Sequence, residues 1–175
     1  MTVTATTPST ADEVAAARPV VDDSGEPRWL DADQQQAWRS YLEGSLRLAE
    51  ALNRDLEAAK DLSLNEYEVL VRLSESPDRT MRMAALAESL AHSRSRLTHT
   101  VRRMSERGLV ERNTCTVDGR GVNCTMTQRG YDVLVDAAPR HVSAVRAYLV
   151  DRLTPEEFAV LGRAMAKVVD ACRDA

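Results

Sequence analysis

At 175 residues, 43% of them apolar and 29% charged, the chain has the composition of a globular protein, which excludes a fibrous or wholly disordered one. Only 4% of residues are aromatic, so any core rests on Leu, Val, Ala and Met, which helices pack well. The chain is acidic overall, with 23 basic against 27 acidic side chains, yet residues 79–120 hold nine arginines against four acids.

That asymmetry fits a local anionic partner, with nucleic acid the first candidate, or a solvated charged face. No apolar run approaches the roughly 20 residues of a membrane-spanning helix. The first residues also lack the basic start and apolar stretch of a signal peptide, so a cytoplasmic protein with no membrane partner is expected. Three cysteines, Cys115, Cys124 and Cys172, make an odd number and argue against a disulfide framework.

Residues 1–28 hold three prolines, many Thr and Ala, and no aromatic, and are read as a disordered tail, with a short helix over 11–17 the one alternative. Structure is expected from Trp29. Asp31 followed by Gln34 forms a capping box, and apolar residues from Trp38 through Leu56 then recur at helical spacing. This predicts one long helix over 32–60 with more apolar surface than a small neighbour covers. Ser63 and Glu66 form a second capping box, opening a helix with Leu64, Tyr67, Leu70, Val71 and Leu73 inward.

"SPDRT" breaks that helix. A brief extended piece at 80–82 leads into "MAALAESLA", a short helix ending at Ala91. Ser93 is the next N-cap, and its helix runs to Arg107 and stops at Gly108. The period then changes: "LVERNTCTVDGRGVNCTMT" reads as a β-hairpin with a flexible tip. Thr127 caps a helix from Gln128 that bends near Pro139. Thr154, Pro155 and Glu157 open the last helix, which continues through Phe158, Leu161, Met165, Val168 and Val169.

The segment "SRSRLTHTVRRM", residues 93–104, carries four arginines and a histidine and no acid. Projected as a helix, Leu97, Val101 and Met104 fall on one side. Ser95, His99 and Arg102 fall opposite, flanked by Arg96, Thr98 and Arg103. A thin apolar stripe backed by a basic, hydrogen-bonding face suits the DNA major groove, where Arg, Ser and Thr reach base edges and phosphates. With Ser93 and Arg94 at its start, this is the expected DNA-binding set. A short helix, a tight link and this helix make a helix-turn-helix, and the hairpin makes it winged, with Arg120 at the tip placed for a narrow minor groove.

The run "LSLNEYEVLVRLSESPDRTMRMAALAESLAHSRSRLTHTVRRMSERGLVER" and the wing "DGRGVNCTMT" resemble the multiple-antibiotic-resistance regulator (MarR) family of bacterial winged-helix repressors. Asp118, Arg120, Met126 and Thr127 match that family's Asp-x-Arg, five residues, apolar-Thr signature. The resemblance spans residues 29–175 and is strongest over 62–130. It implies a mainly α fold with a small β-hairpin wing and a homodimer whose first and last two helices interlock. Its segments are a dimerisation helix at 29–62, the winged helix-turn-helix at 63–127 and C-terminal dimerisation helices at 128–175. It further implies a repressor of a pseudo-palindromic double-stranded DNA operator, relieved by a small phenolic or carboxylate effector that changes half-site spacing. Ser95, Thr98, His99 and Arg103 would then face bases or phosphates and Arg120 the minor groove, with Asp118 orienting the wing arginine. The chain departs from the pattern at Gly119, where many relatives are basic, at Thr114 and Thr116, where prolines are common, and at His99, often an arginine.

Trp38, Tyr41 and Tyr67 could line an effector pocket or be core residues. Cys115 and Cys124 lie nearly equidistant from the wing tip, and a redox switch between them is one reading, two strand-filling residues the other. His92, His99 and His141 have no ligand spacing, so no metal and no cofactor is expected. No nucleophile motif or phosphate loop points to an enzyme. The rival class is a helical dimeric interaction protein whose basic segment docks an acidic partner.

Overall fold

The computed structural model describes residues 20–114 and 121–173. They fall into two compact units, residues 20–37 with 155–173, and residues 38–154.

In the first unit the described part of the expected tail is not disordered. The Asp22 carboxylate accepts from the Ser24 amide at 2.8 Å, the Ser24 hydroxyl at 2.6 Å and the Glu26 amide at 3.1 Å, and Val21 bridges Pro27 across the turn. An Asp that satisfies nearby amides orders a turn without a core, and these bonds hold its carboxyl below the usual carboxylate range. Residues 1–19, including the 11–17 alternative, lie outside the described residues. Helix α1 (Ala32–Lys60) opens on the expected capping box: Gln34 N–H donates to Asp31 Oδ1 at 2.8 Å, and Asp31 N–H to Gln34 Oε1 at 3.1 Å. The other helix of this unit, α6 (Pro155–Arg173), starts at the expected proline and buries none of its residues.

The second unit continues α1 into α2 (Leu64–Ser74), a 3₁₀ turn at Pro77–Arg79, β1 (Thr80–Arg82), α3 (Met83–Ser89), α4 (Arg94–Glu106), β2 (Val110–Thr114), β3 (Val122–Met126), α5 (Gln128–Tyr148) and a last 3₁₀ turn at Val150–Arg152. The expected extended piece is a third strand: the antiparallel sheet has the order β1-β3-β2, with Thr80 paired to Thr125 and Val110 to Met126. One core joins Leu56 of α1, Val69, Leu70 and Leu73 of α2, Leu86 of α3, Leu97, Val101 and Met104 of α4, Cys124 and Met126 of β3, and Leu134 and Ala137 of α5. The inward face of α2 thus includes Val69 and Glu66, whereas Leu64 and Val71 are only partly buried. Helix α5 runs unbroken through Pro139.

Two helix ends frame the helix-turn-helix. Helix α4 ends in a Schellman motif: Leu109 N–H donates to Met104 O at 2.9 Å and Gly108 N–H to Ser105 O at 2.9 Å, with Gly108 at φ +69°. Helix α3 ends the same way two residues earlier than its sequence suggests. His92 N–H donates to Ala87 O at 2.9 Å and Ala91 N–H to Glu88 O at 3.0 Å, which places Ala91 at φ +50°. A β-carbon is unfavourable there, so the turn between the two helices holds a small backbone strain. At the start of α5 the backbone comes so close that a Cβ on Gly130 would stand 2.1 Å from the Leu109 carbonyl oxygen. Thr127 secures that approach, donating to Gly108 O at 2.8 Å and capping Gly130 N–H at 3.0 Å.

The wing register corrects one expectation. Cys124 pairs with Arg112, and Thr114 with Val122, so Cys124 does not face Cys115. The sequence placed the hairpin centre between Gly119 and Arg120, whereas this pairing centres it earlier. Cys115 itself lies outside the described residues. Cys124 is fully buried and burial pushes its thiol up to about 12, which removes the thiolate a redox switch needs.

Ala91→Gly should therefore stabilise the protein by about 0.5–1 kcal/mol, seen as a higher urea midpoint at unchanged slope; a lower midpoint would contradict the strain. Iodoacetamide at pH 8 should label the exposed Cys172 in the native protein and spare Cys124 until denaturant is added. Native labelling of Cys124 would overturn its burial.

Candidate nucleic-acid interface

Ser93, extended in its backbone, starts α4 by accepting from the Arg96 amide at 3.3 Å. The apolar stripe read from the sequence lies inward: Leu97, Val101 and Met104 are fully buried. Arg94, Ser95, Arg96, Thr98, His99, Arg102 and Arg103 are all exposed on the same helix. Thr98 donates its hydroxyl proton to Arg94 O at 2.8 Å, which leaves its oxygen as an outward acceptor. Ser95 Oγ stands 3.2 Å from Ser93 Oγ.

Not all of these arginines are unattached. Arg96 Nη2 donates to Asn65 Oδ1 at 3.2 Å, and Arg102 pairs with Glu106 at 3.7 Å on the open surface. Arg103 Nη2 reaches Glu66 Oε1 at 3.3 Å. Glu66 is 1% exposed, and besides Arg103 it takes Arg107 Nη1 on both oxygens, at 3.4 and 3.3 Å, and the Ser63 amide and hydroxyl at 2.9 Å each. Arg107 also donates to Asp61 O at 2.6 Å. The residue read as a capping partner alone is thus the anchor of the C-terminal end of α4.

Arg112 and Arg82 carried charge in the sequence reading but no role. The structure sets them with Arg94, Thr98 and Val122 around a cleft of about 360 Å3 between the start of α3, α4 and the wing strands. Alternation along β2 was the usable signal: Val110 is buried, and Arg112 two positions on shares its face of the sheet. Asp118 and Arg120, with Gly119, lie outside the described residues.

The three aromatics considered for a pocket occupy two places. Trp38 and Tyr41 stack on α1 with ring centroids 5.8 Å apart, and both are exposed. Tyr67 is 7% exposed and packs on His141 at 4.3 Å. Burial raises the Tyr67 phenol above its ordinary value and lowers the imidazoles of His141 and His92. Among the described residues no group of three His, Cys, Asp or Glu could hold a metal ion, and no helix is long and apolar enough to cross a membrane.

Comparison with known proteins gives a consistent answer. A sequence model of the MarR family matches residues 60–121. Sco3205, a MarR family transcriptional regulator from Streptomyces coelicolor solved in complex with DNA, is 43% identical, with a TM-score of 0.80 over 83% of this chain and 91% of that one. AbsC, a MarR family transcriptional regulator from the same organism, is 38% identical, with a TM-score of 0.79 over 85% of this chain and 99% of that one. A mutant MarR from E. coli, solved with operator DNA, shares the fold at 21% identity and a TM-score of 0.69, over 79% of this chain and 99% of that one. Among curated proteins no match is found. The chain belongs to the MarR family of transcriptional regulators, has their winged helix-turn-helix fold, and is not an enzyme.

Proposed function

We propose that the chain is a homodimeric repressor whose α4 helix reads an operator in the DNA major groove. One observation carries this reading: Arg94, Ser95, Arg96, Thr98, His99, Arg102 and Arg103 stand exposed on the helix whose other side, Leu97, Val101 and Met104, is sealed in the core. Ser95, His99 and Arg102 line the centre of that face, and Ser95 and His99, with Thr98 on the flank, meet base edges. Ser93, Arg94, Arg96, Arg102 and Arg103 meet phosphates. Arg120 enters the minor groove beside it, oriented by Asp118. That Sco3205 was solved in complex with DNA supports the same partner here.

A second copy of the chain completes the molecule. Trp38, Tyr41, Leu42 and Leu46 make an exposed stripe on α1, and Phe158, Val168 and Val169 make another on α6. Stripes of this kind mark an interface to be covered. Two-fold pairing sets two α4 helices about one DNA turn, ~34 Å, apart. A small phenolic or carboxylate effector relieves repression by binding better to a half-site spacing that misses the groove repeat, a population shift by differential affinity. Of the aromatics considered for that pocket, Tyr67 is enclosed by the core, and the Trp38–Tyr41 stack stands on the face the second copy covers, so an effector reaching it binds at that interface. The regulator acts in the cytoplasm, where bacterial DNA is.

Selection from a library of random-sequence duplexes tests this. The enriched sequence should be a pseudo-palindrome, and sedimentation should find two 19.4 kDa chains on each duplex. His99→Ala should cost about 1–3 kcal/mol on that duplex and relax discrimination at one base pair in each half-site. No enriched sequence, or one chain bound to an asymmetric site, would refute the reading.

A further inference from the structure

Arg103 lies on the flank of α4, one turn beyond His99, on the side that faces α2. Its side chain is 61% exposed although one of its nitrogens is held by a carboxylate that is 1% exposed. Glu66 cannot swing outward to follow a mobile partner. It is the N3 residue of α2, its Oε2 accepts from the Ser63 amide and hydroxyl at 2.9 Å, and Arg107 grips both oxygens from one helical turn further along. The carboxylate is therefore a fixed post, and the bond to Arg103 at 3.3 Å ties a long, rotamer-rich side chain to it. Charge does not cancel in the cluster, because one carboxylate meets two guanidiniums. The further acid, Asp61, is 3.7 Å from Arg107 with its side chain in open solvent, where its field is screened. One positive charge thus remains beside the recognition helix, on a guanidinium with donors still available outward.

We propose that Glu66 is a positioning residue for DNA recognition: from inside the protein it holds Arg103 in the orientation in which that guanidinium meets a backbone phosphate. The inference rests on the DNA-binding reading above and assigns a task to a residue that never touches DNA. Pre-ordering the arginine removes the cost of fixing it when DNA arrives. A flank position suits phosphate rather than base contact, so Glu66 sets affinity and helix register more than sequence preference.

The sign of one substitution separates this from simple electrostatics. Removing a negative charge beneath a DNA-reading helix should by itself raise affinity for a polyanion. If Glu66 positions Arg103, Glu66→Gln should instead weaken binding, by about five- to tenfold. The experiment measures affinity and salt dependence on the duplex selected by the wild-type chain, for wild type, Glu66→Gln, Arg103→Gln and the double variant, with thermal melts alongside. Arg103→Gln should weaken binding to a similar degree and reduce the salt slope by about one per subunit. The double variant should lose clearly less than the two single losses combined, because the effect of Glu66 passes largely through Arg103 and only the remainder through its hold on Arg107.

Three outcomes would overturn the proposal: tighter binding by Glu66→Gln, additive losses in the double variant, or an Arg103→Gln variant with unchanged affinity and salt slope. The last applies even if Glu66→Gln fails to fold, since Arg103→Gln leaves Glu66 its bonds from Arg107 and Ser63. A wild-type chain that selects no duplex would instead bring down the DNA-binding reading itself, and this inference with it.

Discussion

A single buried carboxylate, Glu66, fixes the recognition helix to the rest of the protein. Helix α4 has three inward residues, Leu97, Val101 and Met104, and is preceded by a helix of only seven residues. An apolar stripe that thin permits rolling and sliding, because hydrophobic contact has no preferred direction. Ion pairs and hydrogen bonds to charge do have direction. Arg103 and Arg107 bind Glu66 near one end of α4, and Arg96 meets Asn65 near the other, so both ends are tied to the first turn of α2. Removing one partner of a buried pair of this kind typically costs about 3–5 kcal/mol, although the exposure of Arg103 lowers its own share. Held in this way, the helix presents the side chains of its other face as one fixed surface.

That surface also resolves the conflict between an acidic chain and a polyanionic partner. A net charge of −4 would repel DNA if it were evenly spread. Instead Arg94 of α4 gathers with Arg82 and Arg112 around the cleft between helix and wing, and two nearby acids are occupied: Glu66 under two arginines, Glu106 beside Arg102. At distances beyond a Debye length, roughly 8 Å in physiological salt, the remaining acids matter little to a bound duplex. The local field, not the net charge, decides the partner.

Most of the scaffold was legible in the sequence because its signals are local. Capping boxes at Asp31–Gln34 and Ser63–Glu66, the spacing of Leu97, Val101 and Met104, and glycine at position 108 each act within a few residues, and each stands in the structure as read. What escaped depends on distant partners or on conformations without a residue signature. The pairing of β1 with β3 joins residues 45 apart, so Thr80–Arg82 read as extended but not as a sheet strand. Glu66 to Arg107 spans 41 residues, and the capping role concealed the buried ion pair. Helix α3 stopped early because Ala91 takes the position where glycine would have been the marker. The cysteine pairing failed because the register depends on how the two strands pair, which the sequence of either strand alone does not fix.

Hydroxyl-radical footprinting of the wild-type chain on its selected duplex tests most directly that two firmly held α4 helices read DNA together. Two protected patches centred about ten base pairs apart, on one side of the duplex, are the expected result. One patch, or uniform weak protection that fades along the whole fragment as salt rises, would contradict it, because it would leave only the sequence-independent phosphate attraction.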